Sequence, residues 1–143
     1  MQPATERRDE KEIDELNRAV TWFGQVVAST SDTKKYTESL NNLGVALQRR
    51  YEQTGSMEDL ERAIEVLSQA TELTSEEHPD YAVIANNLGS GLDSYFEQTG
   101  SIEVLDDAIS IMERAVRLTP DDHSDRAGRV CNLGFSLQAA EPF

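Results

Sequence analysis

The sequence predicts an all-α fold, built as a solenoid of antiparallel helix pairs. Residues 41–44 read Asn-Asn-Leu-Gly, residues 86–89 repeat that run, and residues 131–134 repeat it with cysteine first, at a constant step of 45 residues. Around these copies, apolar residues recur at the three- and four-residue spacing of amphipathic helices. An internal repeat of this length with helical periodicity is typical of a solenoid, in which neighbouring repeats stabilise one another.

The first two helices are predicted from their apolar stripes. Apolar residues from Ile13 to Val27 follow one helical face, whereas residues 1–9 are charged and polar and are expected to form a flexible leader. The pattern breaks at residues 29–33. The second helix is long and amphipathic, with large apolar residues from Tyr36 to Tyr51 on one face.

A turn at residues 54–56 separates the second helix from the third. Gly55 suits the left-handed conformation that closes a helix, and Ser56 suits the N-cap of the next one. Asp59, three residues after Ser56, is expected to complete a variant of the capping box. So short a connection makes the two helices antiparallel, and the cycle then recurs with Ser101 as the cap. The predicted helices span about residues 10–29, 34–53, 57–73, 79–98, 102–118 and 124–139, within a single domain of residues 10–143.

The six predicted helices alternate between two types. A-type helices carry the Leu-Gly motif and are the second, fourth and sixth; B-type helices are the first, third and fifth. Residues 16–20 fit the B register, because they parallel residues 60–64 at a step of 44. Both ends are therefore half-repeats, whose apolar surface needs burial.

Glycine recurs inside the A-type helices at one register, although it costs about 1 kcal/mol relative to alanine in a helix. Close approach of a neighbouring helix is the simplest compensation. We expect Gly44 to face Ala63 and Gly89 to face Ala108.

Composition restricts the partners. Lys and Arg total 13 against 27 Asp and Glu, giving a formal net charge of −14, so we expect neither nucleic acid nor an anionic membrane surface as a ligand. A basic or neutral protein or peptide is favoured. The one cysteine, Cys131, cannot form an intrachain disulfide, and neither a signal peptide nor a long apolar run is recognised, so the prediction is a cytoplasmic protein.

The sequence contains no constellation that predicts an enzyme, a metal site or a cofactor. His78 and His123 recur at the period in loops before helices, where a structural or solvated role is favoured. Cys131 has no sequence-evident base and one cysteine excludes a zinc ribbon. The acidic pairs lack the calcium-loop pattern. Trp22 occupies the register of Val66 and Ile111, which favours core or inter-repeat packing.

The repeat resembles the tetratricopeptide repeat (TPR). Leu43, Gly44 and Leu47 are similar to the signature of that family's first helix. The second-helix pattern of alanine, large apolar residue and alanine is similar to Ala63, Leu67 and Ala70, and again to Ala108, Met112 and Ala115, with Pro120 at the place of the closing proline. The long period is similar to that of kinesin light chains and of fungal and bacterial arrays. Those arrays are often coupled to nucleotide-binding switch domains or to CHAT-type protease domains, so the chain is expected to be a piece of a larger sensor or signalling protein, or a small protein whose ends another copy covers.

The resemblance implies a right-handed α-solenoid that serves as a protein-interaction scaffold, with the A-type helices lining the concave face. A peptide or helix would bind there, and asparagine amides suit this role because they both donate to and accept from a peptide backbone. A clamp for a carboxylate is not expected, because the lysines are missing and Asp93 would repel that ligand. The implied partner-binding residues are Glu38, Asn41, Val45, Gln48, Arg49, Val83, Asn86, Ser90, Asp93 and Phe135, with Cys131 and Gln138 on the same face.

Two alternatives stay open at this point. Asn42, Asn87 and Asn132 are assigned to bonds between neighbouring helices, whereas for Asn41 and Asn86 the ligand-binding and structural roles are equally supported. At the level of function, the alternative to a peptide-binding scaffold is a module that forms homo-oligomers through its uncovered ends, around Trp22 and Phe23 or around Phe135 and Leu137.

Overall fold

The computed structural model describes the backbone of residues 4–141 and the side chains of residues 8–141. Over this range the chain forms six α-helices and no strand, and neighbouring helices pack against one another, which confirms the all-α helical-repeat prediction. The helices are α1 (Ala4–Ser29), α2 (Thr33–Thr54), α3 (Met57–Leu73), α4 (Tyr81–Thr99), α5 (Ile102–Arg117) and α6 (Arg126–Ala140).

The start of α1 differs from the expectation. The helix begins at Ala4, so residues 4–9 of the expected leader are helical, and residues 1–3 lie outside the described residues. Alanine, glutamate and arginine, which supply four of the six residues 4–9, are strong helix formers, and they extend a helix even where no apolar stripe marks it. A periodicity argument misses such a segment because it detects only helices with a buried face.

The chain divides into two compact units, residues 1–66 and residues 67–143, with the boundary inside α3. In the first unit, α1 packs against α2. The apolar stripe of α2 is buried as predicted, and α1 contributes Val20, which is also buried. The assignment of residues 10–143 to one domain stays a prediction.

In the second unit, α5 packs against both α4 and α6. Tyr81 and Ala85 of α4 form a buried cluster with Ala115 of α5, and Ile111 and Leu118 pack against it. The N-terminal half of α4 therefore meets the C-terminal half of α5, as in an antiparallel pair.

Gly89 lies in this helix pair, but it does not face Ala108 as expected. A β-carbon on Gly89 would lie 2.6 Å from Cγ of Met112 and 3.3 Å from Cγ2 of Ile111. The contact is displaced by about one helical turn toward the C-terminus of α5. Close approach at the glycine is thus present, and the side chain that fills the space is Met112.

The two turns between A-type and B-type helices form as predicted. Gly55 and Gly100 adopt left-handed conformations with φ of 74° and 71°, and their N–H groups donate to the carbonyls of Tyr51 and Phe96, both at 2.7 Å. Ser56 Oγ accepts from the Asp59 N–H at 3.3 Å, and the equivalent Ser101 caps α5. The carboxylate of Asp59 does not complete the expected capping box, because it binds an arginine of α2 instead.

Candidate protein-interaction surface

The loop histidines fix the turns that precede two of the A-type helices. The Asp80 N–H donates to Nδ1 of His78 at 3.0 Å, and the Asp125 N–H donates to Nδ1 of His123 at the same distance. Thr74 and Thr119 also repeat, since each hydroxyl donates to the carbonyl four residues earlier. These loops are structural copies, and they set where α4 and α6 begin.

Two arginines of α6 hold the C-terminal end of α5. Arg126 Nη1 donates to the carbonyls of Val116 and Thr119, at 3.0 and 2.7 Å, and Arg129 Nη1 donates to the Thr119 hydroxyl at 2.7 Å. The last carbonyls of a helix are unpaired and carry partial negative charge, so guanidinium groups stabilise them. This clamp, which the sequence argument missed, orients α6 against α5.

Arg50 of α2 joins the first unit's helices through its guanidinium. It donates two hydrogen bonds to the Asp59 carboxylate, at 2.8 and 2.7 Å, and a third to Oδ1 of Asn17 at 3.0 Å. The hydrogen bond to Asp59 raises the pKa of Arg50 above its ordinary value. Arg50 is therefore a structural residue, unlike its exposed neighbour Arg49.

The predicted partner-binding residues of α2 share one side of the helix. Successive residues advance by about 100°, which places all five within an arc of about 100°, away from the buried leucine stripe. Glu38 and Arg49 are exposed, and Asn41, Val45 and Gln48 are half-buried. Two of the five thus carry opposite charges at the surface.

The equivalent residues of α4 share one side of that helix in the same register. Val83 is exposed, whereas Asn86, Ser90 and Asp93 are half-buried. The Oδ1 atom of Asn86 is buried and has no hydrogen-bond partner among the described residues. A buried polar atom without a partner is costly.

In the second unit, one predicted residue of α4, Asp93, contacts a residue of α6 that was not predicted, Ser136. The Ser136 hydroxyl lies 3.2 Å from Oδ1 of Asp93 and 3.4 Å from Sδ of Met112, and Ser136 is fully buried. Phe135, its neighbour in sequence, is 68% exposed. The contact thus joins α4 to α6, and Ser136 lies about 100° around α6 from Phe135. We name the set Val83, Asn86, Ser90, Asp93 and Phe135 the α4/α6 face.

Trp22 is not a core residue. Its side chain is 63% exposed, so the expected packing in the core is wrong, whereas packing between repeats stays a prediction; on α1 the buried side chain is Val20. The exposure of Leu137, at 42%, also leaves apolar surface on α6.

A family model for the tetratricopeptide repeat matches residues 37–80. The matched residues cover most of α2, all of α3 and the loop that follows. The match supports a TPR family and, in general, a protein-protein interaction module; such repeats are typically non-enzymatic scaffolds. No curated protein matches the chain.

Two features are absent from the part of the chain that the structure describes. Among the described residues, none of the helices combines the length and apolar character needed to cross a membrane. In the same part of the chain, no three histidine, cysteine or acidic side chains lie close enough together to hold a metal ion.

Proposed function

We propose that this chain is a protein-interaction scaffold that holds an extended peptide, or a helix of a partner protein, on its A-type helices. The observation that carries the proposal is the exposure of the Phe135 ring, 68%, on α6, the helix that the Asp93–Ser136 contact joins to α4. Buried aromatic anchors dominate protein interfaces. An aromatic ring presented to solvent on a rigid helix is therefore suited to pack against an apolar side chain of a partner.

The polar part of the α4/α6 face supports the same proposal. Asn86 and Ser90 can donate to and accept from a peptide backbone, which holds an extended ligand without selecting its side chains. The five predicted residues of α2 lie in the other unit, and we propose that they provide a second set of backbone and charge contacts.

Charge supports a basic or neutral ligand. The net charge is −14, and the exposed Glu38 and the half-buried Asp93 add negative potential to the two proposed faces. Arginine or lysine side chains in the peptide would be attracted over several ångströms. We propose the cytoplasm as the location, because the one cysteine, Cys131, is exposed and forms no disulfide.

The test is selection of binders from a randomised 12-residue peptide library, followed by calorimetric titration of the selected peptides. Phe135→Ala should weaken binding about tenfold or more, as expected for an interface anchor. Ile102→Ala is the matched control, because Ile102 is 61% exposed on α5 and lies off the α4/α6 face. Equal affinities for the two variants would contradict the proposal, as would a library that yields no binder.

A second candidate function is self-association through the end helices. It is favoured by a specific observation, namely that α1 and α6 both expose large apolar side chains, among them Trp22 and Leu137. Exposed apolar patches often mark an interface. Membership of a larger sensor or signalling protein of the kind the repeat resembles stays a prediction.

A further inference from the structure

The packing of α5 against α4 provides an internal template for how one helix docks on another. Met112 fills the space above Gly89, because a β-carbon on the glycine would lie 2.6 Å from Met112 Cγ. Ile111 lies beside Met112, at 3.3 Å from the same point. One turn away, Ala85 of α4 and Ala115 of α5 are fully buried in the same cluster. The template is a glycine notch on an A-type helix that receives a large side chain of a B-type helix.

The same notch recurs on α6 without a helix in it. At the step of 45 residues, Val130 and Gly134 take the places of Ala85 and Gly89. Val130 is 44% exposed, and no atom of the described residues, apart from the glycine's own local backbone, lies within 4 Å of a β-carbon on Gly134. Ala127 and Leu137, which continue this side of α6, are also exposed. We call Ala127, Val130, Gly134 and Leu137 the α6 notch. It is an unfilled glycine notch on an A-type helix.

The matching B-type face recurs on α1. With the step of 44 residues from α1 to α3 and of 45 from α3 to α5, Trp22 and Phe23 stand where α5 has Ile111 and Met112, and Val26 stands where α5 has Ala115. Trp22 is exposed, and Phe23 and Val26 are half-buried. We call Trp22, Phe23 and Val26 the α1 knob.

We propose that a second copy of this chain docks its α1 knob into the α6 notch, continuing the helix alternation from one copy to the next. Phe23 and Trp22 lie over Gly134, and Val26 lies against Val130, in an antiparallel helix pair. The inference rests on self-association, the second function proposed above, and adds its register and its head-to-tail polarity. In a pair of copies, one keeps a free knob and the other keeps a free notch. The contact is therefore heterologous and can propagate.

A second copy is the favoured occupant because the chain carries both halves of the pair at the spacing of its own α4–α5 contact. Valine replaces alanine on both sides, at Val26 and Val130, so we expect the α1–α6 pair to be set wider than α4–α5, within the 8–10 Å range of packed helices. The aromatic rings of Trp22 and Phe23 are large enough to fill the added width.

The first experiment compares two glycine variants of α6. Gly134→Gln fills the notch without adding charge, and Gly128→Gln places the same side chain about 120° around the helix. No atom beyond the local backbone lies within 4 Å of a β-carbon at either glycine, so both variants should fold, which circular dichroism checks. In sedimentation equilibrium across a wide dilution range, we expect the wild type and Gly128→Gln to associate, and Gly134→Gln to associate at least tenfold more weakly.

The second experiment tests the polarity of the contact. Trp22→Gln damages the knob, and its exposure means that the fold should tolerate the change. Each variant alone should be largely monomeric. An equimolar mixture of Gly134→Gln and Trp22→Gln should form a discrete heterodimer, twice the 15.9 kDa mass of the chain, because the one intact knob meets the one intact notch.

The outcomes separate the two levels of the proposal. A wild type that stays monomeric at all concentrations overturns self-association and this inference together. If the wild type and Gly134→Gln associate equally well, or if the mixture forms no heterodimer, the knob-into-notch register is overturned. Self-association itself is not. Association of the Trp22→Gln variant as strongly as the wild type would indicate a symmetric contact between notches and would overturn the head-to-tail polarity.

Discussion

Gly89 of α4 lies against Met112 of α5, with space for a hydrogen but not for a methyl group: a β-carbon would fall 2.6 Å from Met112 Cγ. This contact allows the two helices to approach, and it explains why a residue unfavourable in helices occupies this position. The equivalent Gly134 has open space in the same direction. The two glycines therefore form a matched pair for experiment.

Gly89→Leu should destabilise the protein by about 1–3 kcal/mol, because the added side chain overpacks the Met112 contact. The measurement is thermal unfolding by circular dichroism, where we expect the midpoint to fall by several degrees. Gly134→Leu is the control, and at a concentration at which the wild type is monomeric it should unfold at or above the wild-type temperature, since leucine favours helix more than glycine does. An unchanged midpoint for Gly89→Leu would count against the packing argument.

Asp59→Ala should destabilise the first unit by about 1–3 kcal/mol, because it leaves the half-buried Arg50 without its carboxylate. The corresponding positions of the next repeat hold Tyr95 and Val104, neither of which is charged. We therefore expect the double variant Arg50→Tyr with Asp59→Val to lose less stability than the sum of its two single changes. A double-mutant cycle by urea unfolding measures this coupling, and strict additivity would show that the pair contributes nothing.

The raised pKa of Arg50 determines the direction in which the stability contributed by this residue changes with pH. A cation whose pKa is higher in the folded state contributes stability that is fully present below its unfolded pKa and is lost as the pH rises through the folded value. Both values lie far above neutrality. Titration of Arg50 should therefore not change the difference in unfolding free energy between the wild type and Arg50→Gln from neutral pH up to pH values of about 10.

The helices and their turns were predictable because their signals are local. Glycine at 55 and 100 and serine one residue later specify the turns, and apolar spacing specifies the buried stripes. The Met112 contact was not predictable to the residue, because the offset between packed helices depends on side chains of both. The Arg50–Asp59 pair did leave a signal, since both members change together in the next repeat, but only the fold shows that they meet.

The α5–α6 clamp gives a further prediction. Arg129→Ala removes the hydrogen bond to the Thr119 hydroxyl from a side chain that is nearly buried, so we expect a loss of about 1–3 kcal/mol. The loss should be local to α6, which hydrogen exchange of its amides would report. Arg117→Ala, at an exposed position in the last turn of α5, is the control. Equal exchange rates in α6 for the two variants would mean that the clamp does not hold the helix.

Salt should separate the two proposed functions, because they respond to it in opposite directions. Copies that each carry a net charge of −14 repel one another, so screening should strengthen association between the α1 knob and the α6 notch. A basic peptide on the α4/α6 face is attracted by the same charge, and screening should weaken its binding.

We expect the self-association constant to rise, and the peptide association constant to fall, between about 0.01 and 1 M salt, over which the Debye length falls from about 30 to 3 Å. Sedimentation equilibrium and calorimetry measure the two constants on the same protein. Self-association that weakens with salt would indicate a contact made by charge pairs, and the apolar knob would then not be its basis.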